Sequence, residues 1–205
     1  MEYYDQLWMA IIRPPRKNYA LEDLGPKEFV IPSGLRVVRT DLEIGNARGL
    51  RMKCSHFEPN DSTRQWKKMP CVIYMHGNSS CRLEALQLVD FFLNSNITLF
   101  CFDFPGCGLS EGEFISLGWH ERDSVACIVE YLRGMRNVST LGLWGRSMGA
   151  VTTLLHGDRD PSIAGIVVDS PFSNLRTLCD ELAYEHSVPS LLVGAAMSFV
   201  TSTIQ

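Results

Sequence analysis

The sequence contains no uninterrupted apolar run of the roughly 18 residues needed to cross a bilayer. Its start, Met1-Glu2-Tyr3-Tyr4-Asp5, lacks the basic-then-apolar order of a secretory signal and the second-position glycine that myristoylation requires. A basic excess is missing too. Nineteen Lys and Arg face 23 Asp and Glu, a net charge of -4, so there is no electrostatic footprint for nucleic acid. The seven cysteines are scattered and never stand at C-x-x-C spacing, which leaves zinc and thioredoxin-like chemistry little support. Neither metal nor cofactor is expected. An odd number of unpatterned thiols fits the reducing interior of a cell, and a cytoplasmic location is the expectation. Internal repeats and low-complexity tracts are also missing. What remains is ordinary globular composition, 45% hydrophobic and 20% charged, in a chain long enough for one sizeable core.

Two textures divide the chain. Residues 1–34 form an N-terminal segment in which Leu7, Trp8, Ala10, Ile11 and Ile12 make one short amphipathic helix stopped by Pro14-Pro15. Packing on its own domain is the commoner outcome for so short an element. The basic group Arg13, Arg16 and Lys17 beside it leaves peripheral contact with an anionic membrane as the alternative. Residues 35–205 form the core. Leu35 to Ile44 and Leu50 to Phe57 alternate and are joined by a turn-rich Gly45-Asn46-Ala47-Arg48-Gly49, which predicts an antiparallel hairpin.

From Met69 strands and helices alternate. Apolar strands are predicted at Cys71 to Met75, Ile97 to Phe102, Leu141 to Trp144 and Ile163 to Val168. Helices are predicted at about Leu83 to Leu93, with Leu83, Leu86, Val89, Phe92 and Leu93 to one side, then Trp119 to Arg133, Ala150 to Leu155 and Asn174 to Tyr184. Repeated strand–helix–strand units imply an α/β class: an open, mostly parallel sheet with right-handed crossovers and helices on both faces. Chemistry in such sheets collects at the carboxyl ends of the strands. Those ends carry His76-Gly77-Asn78, Asp103, Ser147 and Asp169. Cys71, Cys101 and Cys127 lie in apolar runs as small buried hydrophobes. Cys81 and Cys107 fall in loops, where a reactive or lipidated thiol is the alternative.

Gly145-Arg146-Ser147-Met148-Gly149 matches G-x-S-x-G between a predicted strand and a predicted helix. In that context the turn is tight enough that a Cβ at 145 or 149 would meet backbone, and Ser147 is expected to be strained and exposed above the sheet. An incidental serine in a glycine-rich turn is the bland reading of the pentapeptide alone.

Three motifs in order, His76-Gly77-Asn78, Asp103-x-x-Gly106-x-Gly108-x-Ser110 and the Ser147 pentapeptide, make the chain from about Leu35 to Tyr184 resemble the α/β-hydrolase superfamily. The resemblance is to the serine-aminopeptidase-like group, which spans peptidases, esterases and depalmitoylating thioesterases. It implies Ser147 as nucleophile and the backbone N–H groups of Met148 and Asn78 as the oxyanion hole. It also implies that Gly145, Gly149, His76, Gly77 and Asp103 shape the loops, His76 being structural rather than the base. The substrate would be a small molecule or an acylated protein carrying an ester, thioester or amide.

A serine hydroxyl needs a histidine and an orienting carboxylate, which in this superfamily follow the serine in the chain. Asp169, at the end of the sixth strand of this count, is a candidate acid; shaping the loop before Pro171 is its other reading. After Ser147 only His156 and His186 occur, one on the elbow helix pointing away and one just past a helix. The Ile163–Val168 strand, apolar on both faces, lacks a partner on one edge. The expectation is therefore a fold incomplete at its C-terminal edge, with the triad acid and histidine beyond Gln205 and Leu191 to Ile204 beginning a lid. A catalytically inactive binding module of the same fold is the alternative.

Overall fold

The computed structural model describes residues 12, 13, 15–185 and 194. Seven strands form one mixed sheet: β1 Glu28–Val30, β2 Arg36–Gly45, β3 Arg51–Pro59, β4 Met69–Met75, β5 Thr98–Phe102, β6 Val138–Arg146 and β7 Gly165–Asp169. Their spatial order is β1-β2-β3-β5-β4-β6-β7. The first three strands form an antiparallel meander, and β3 runs antiparallel to β5. From β5 through β4 and β6 to β7 all pairings are parallel. The expected hairpin is β2–β3, closed where the Asn46 carboxamide oxygen accepts the amides of Arg48 and Leu50. The sheet begins earlier than the residue-34 boundary read from the sequence, because β1 pairs with β2. Three residues are too few to show a periodic pattern.

Alternate strand residues serve two apolar layers, as parallel strands covered on both faces require. Ile73, Met75, Phe100, Phe102, Leu141 and Leu143 face one layer with Val125, Ile128, Val129 and Leu132 of helix α2, Glu121–Gly134. Tyr74, Leu99 and Cys101 face the other, with Val89, Phe92 and Leu93 of helix α1, Val89–Asn94. The chain thus has the open α/β sheet with helices on both faces that its alternation predicted. Helix α3 spans Met148–Gly157 and helix α4 spans Leu175–Glu185. Strand β7 pairs only with β6 among the described residues, and its apolar Ile166, Val167 and Val168 are exposed.

The single helix predicted over 83–93 is divided. Residues Arg82–Leu88 wind as a 3-10 helix, and only then does α1 begin. Arg82 and Ala85 are buried in the first part, while Leu83 and Leu86 are only half-buried. The reason is polar: Asp103 accepts the Arg82 amide at 2.7 Å and faces its guanidinium, drawing that side inward. A three-residue winding then presents different side chains to the core than a 3.6-residue one would.

The helix expected near residues 7–12 lies, apart from Ile12, outside the described residues, as do His186 and, but for Gly194, the stretch Leu191 to Ile204. Among the described residues no helix is long and apolar enough to cross a membrane. The part of the N-terminal segment that is described lies against the core. Arg16 donates to the carbonyls of Ser110 and Gly112, Arg13 pairs with Glu113, and Tyr19 reaches Asp103.

Candidate active site

Strand β6 ends at Arg146 and helix α3 begins at Met148, so one residue makes the turn. That residue, Ser147, has φ 52° and ψ -115°, a conformation that non-glycine residues adopt at a cost on the order of 1–3 kcal/mol. Neighbouring structure holds it there. Its amide donates 2.8 Å to the Asp169 carbonyl at the end of β7, and its own carbonyl accepts the Val151 amide of α3. The flanking glycines leave no room for a side chain. A Cβ on Gly145 would run into the Gly149 carbonyl, and one on Gly149 would lie 2.7 Å from the Met75 carbonyl carbon. The helix start is thus pressed against the ends of β4 and β6. Ser147 is half-buried and lines an open cavity of about 390 Å³ with the loop Ser170–Asn174 and with Thr177 and Leu178 of α4.

The loop after β4 arrives beside this turn: a Cβ on Gly77 would stand 3.6 Å from the Ser147 Cβ. The next residue, Asn78, is exposed. Neither its amide nor that of Met148 has a hydrogen-bond acceptor among the described residues. His76 is turned the other way and fully buried. Its Nδ1 contacts the Gly77 carbonyl at 2.8 Å, and its Nε2 accepts the Phe104 amide at 3.1 Å. Both ring nitrogens are therefore occupied, and burial holds its pKa below the ordinary histidine value. Such a ring joins two loops and has no lone pair left for a proton from Ser147.

Asp103 is likewise an internal fastener. Its carboxylate accepts the amides of Arg82 and Leu109 and the Tyr19 hydroxyl, and its carbonyl accepts the Ser110 hydroxyl at 2.6 Å. Gly108 packs so closely on that carboxylate that a Cβ would overlap it. Asp169 sits beside the turn, opposite Arg146 in the β6–β7 register. Its carboxylate is exposed and accepts the Ser170 hydroxyl at 2.8 Å. None of the described histidines is bonded to Ser147 or Asp169. His156, on α3, instead faces Asp160 at 3.7 Å from the far end of the helix.

Cys81 and Cys107 are buried, contrary to a reactive role in exposed loops. Burial raises the Cys81 thiol and pushes Cys107 up to about 12. Sequence reasoning missed Glu84, Arg82 and Tyr19. Glu84 accepts the Tyr74 hydroxyl, the Gly77 amide and the Arg146 guanidinium. Arg82 precedes the predicted 83–93 helix and Glu84 falls opposite its apolar side, so neither carried a local signal; their partners Asp103 and Arg146 are distant in the chain.

Sheet order, two-faced helical cover and a strained serine at a strand-to-helix turn are together the architecture of an α/β hydrolase. One crystal form of the Pyrococcus furiosus esterase Pf2001 has a TM-score of 0.67 to this chain at 22% identity, over 89% of this chain and 66% of that one. The family model for serine aminopeptidase, S33, matches residues 67–201, and the chain belongs to that family of α/β hydrolases. Among curated proteins it is similar to the uncharacterized protein YqkD of Bacillus subtilis, 29% identical over 168 residues, covering 78% of this chain and 52% of YqkD. The uncharacterized protein YfhR of Escherichia coli K12 is 27% identical over 129 residues, 62% of this chain and 45% of YfhR. The chain thus spans about half the length of the curated relatives it matches.

Proposed function

We propose that the protein is a serine hydrolase acting through an acyl-enzyme on Ser147, with an ester, thioester or amide of a small molecule or an acylated protein as substrate. One observation carries the reading: Ser147 is a non-glycine residue at φ 52° between a parallel strand and a helix, at the rim of a cavity. A relaxed turn would supply a serine at no conformational cost, so strain held in place by surrounding contacts favours a functional reason. Ser147 Oγ attacks the substrate carbonyl carbon and gives its proton to a histidine. The negative oxygen of the tetrahedral intermediate accepts hydrogen bonds from the amides of Asn78 and Met148, each worth on the order of 10²–10³ in rate. Collapse expels the leaving group with that proton, and water then releases the acyl group by the same steps.

The histidine comes, in this reading, from sequence outside the described residues, since none of the described ones is bonded to Ser147 or Asp169: His56 and His76 are hydrogen-bonded in the core, His120 stands at the start of α2, and His156 faces Asp160. Asp169 is the described carboxylate best placed to orient it. A fluorophosphonate probe tests the proposal by mass spectrometry of the peptide containing Ser147. The 205-residue chain is expected to label slowly on Ser147, faster when imidazole in the buffer stands in as base, and not at all as Ser147→Ala. Labelling that persists in S147A, or an unlabelled Ser147 at saturating probe and imidazole, would overturn it and favour a binding module.

A further inference from the structure

The two amides proposed to bind the oxyanion come from separate segments, one from the loop after β4 and one from the start of α3. Both must stand about 2.7–3.1 Å from one oxygen atom, and no covalent connection sets their spacing. The two segments run side by side here, since a Cβ added at Gly77 would come to ordinary contact distance, 3.6 Å, from the Ser147 Cβ. Something must stop them from parting.

Glu84, 7% exposed in its side chain, reaches both segments from the 3-10 helix. Its Oε2 accepts the Gly77 amide at 3.3 Å, next to Asn78. Its Oε1 accepts Arg146 Nη1 at 2.5 Å, next to Ser147, and the Tyr74 hydroxyl at 3.0 Å from the end of β4. We infer that Glu84 is a positioning residue: by tying Gly77 to Arg146, it sets the distance between the two halves of the oxyanion hole.

An ionised carboxylate suits the task because it accepts from several directions and its charge-assisted bonds are roughly twice as strong as neutral ones. Burial by itself pushes the Glu84 carboxyl upward, but the bonds from Ser80, Arg146 and Gly77 outweigh it and hold the group below the ordinary glutamate value. It is therefore charged at neutral pH. Glutamine at this site would keep the volume but turn one acceptor into a donor, facing Arg146 or Gly77 with the wrong polarity.

The inference rests on Ser147 being the nucleophile, and the test separates the two. Inactivation by the fluorophosphonate in the presence of imidazole is resolved into the binding constant KI and the limiting rate kinact. Glu84→Gln is expected to lower kinact by about 10- to 100-fold, the order of loss that follows an ångström of misplacement, with KI within about twofold. Glu84→Asp, which keeps the charge, recovers part of the rate. A merely structural role would lower the melting temperature without this split. Should E84Q fail to fold, Arg146→Gln, on a half-exposed side chain, is expected to lower kinact by about two- to fivefold. An unchanged kinact in these variants, or a loss confined to KI, overturns the inference alone. A wild-type chain that does not label at Ser147 overturns the nucleophile assignment, and this inference with it.

Discussion

Gly149→Ala sets two elementary effects against each other at one position. Gly149 is the second residue of α3, and alanine is favoured over glycine in a helix by up to about 1 kcal/mol. Its φ is not in the left-handed region, so the backbone itself would accept a side chain. Propensity alone therefore predicts a more stable protein. Packing predicts the reverse. The added Cβ would lie 2.7 Å from the Met75 carbonyl carbon, 2.9 Å from the His76 carbonyl oxygen, and closer still to the Met75 oxygen. These are backbone atoms at the end of β4, which is hydrogen-bonded on both sides by β5 and β6 and cannot rotate away. The helix start must move instead, taking Met148 and Ser147 with it. Overpacking against rigid neighbours costs about 3 kcal/mol, which exceeds the propensity gain. At about 2–4 °C per kcal/mol for a chain of this size, the net loss lowers the melting temperature by roughly 4–8 °C. Probe labelling of Ser147 should fall on the order of 100-fold, since the nucleophile moves by a sizeable fraction of an ångström or more. Gly134→Ala, at the end of α2 with nothing within 4 Å of the added atom, is the control and should be neutral or slightly stabilising. Thermal unfolding of the two variants decides it: a G149A protein as stable and reactive as wild type would refute the steric account of the turn.

Two further outcomes follow from the buried polar groups. Asp103→Ala leaves the buried Arg82 guanidinium without its carboxylate and the Leu109 amide without an acceptor, which should cost about 3–5 kcal/mol and lower the melting temperature by roughly 6–20 °C; thermal denaturation checks this. His56, buried against Thr98 and Glu58, is held down to about 4, chiefly by burial. Above about pH 6.5 the ring is neutral in both folded and unfolded chains, and its stability contribution is complete. As pH falls toward 4 the unfolded chain takes the proton first, so stability drops by about 3 kcal/mol across that window. In His56→Gln the urea midpoint should change less between pH 6.5 and 4 than in wild type, and an equal slope would count against the assignment.

Much of the site was legible because its chemistry forces local signatures. Glycine at 145 and 149 is demanded by backbone contact, and a β-strand followed at once by an amphipathic helix leaves one residue to turn the corner. The β2–β3 hairpin and the apolar strands were visible for the same reason, since period-two alternation and apolar runs report directly on which faces are covered. The segment 82–94 was misread because its winding is set from outside: Asp103, on a loop about twenty residues later, claims the amide and charge of Arg82. Strand β1 escaped notice because its pairing with β2, not its three residues, makes it a strand.

Residue types and their order alone determined the class of fold, the position of the strained serine and the glycines that permit it, because these depend on sterics and hydrophobic period within a few residues. Tertiary structure alone decided that both nitrogens of His76 are occupied, that Asp103 draws Arg82 inward, and that Glu84 bridges the segments on either side of Ser147. Each of those outcomes depends on hydrogen-bond partners brought together only when the parallel strands align their carboxyl ends, a proximity that no spacing along the chain encodes.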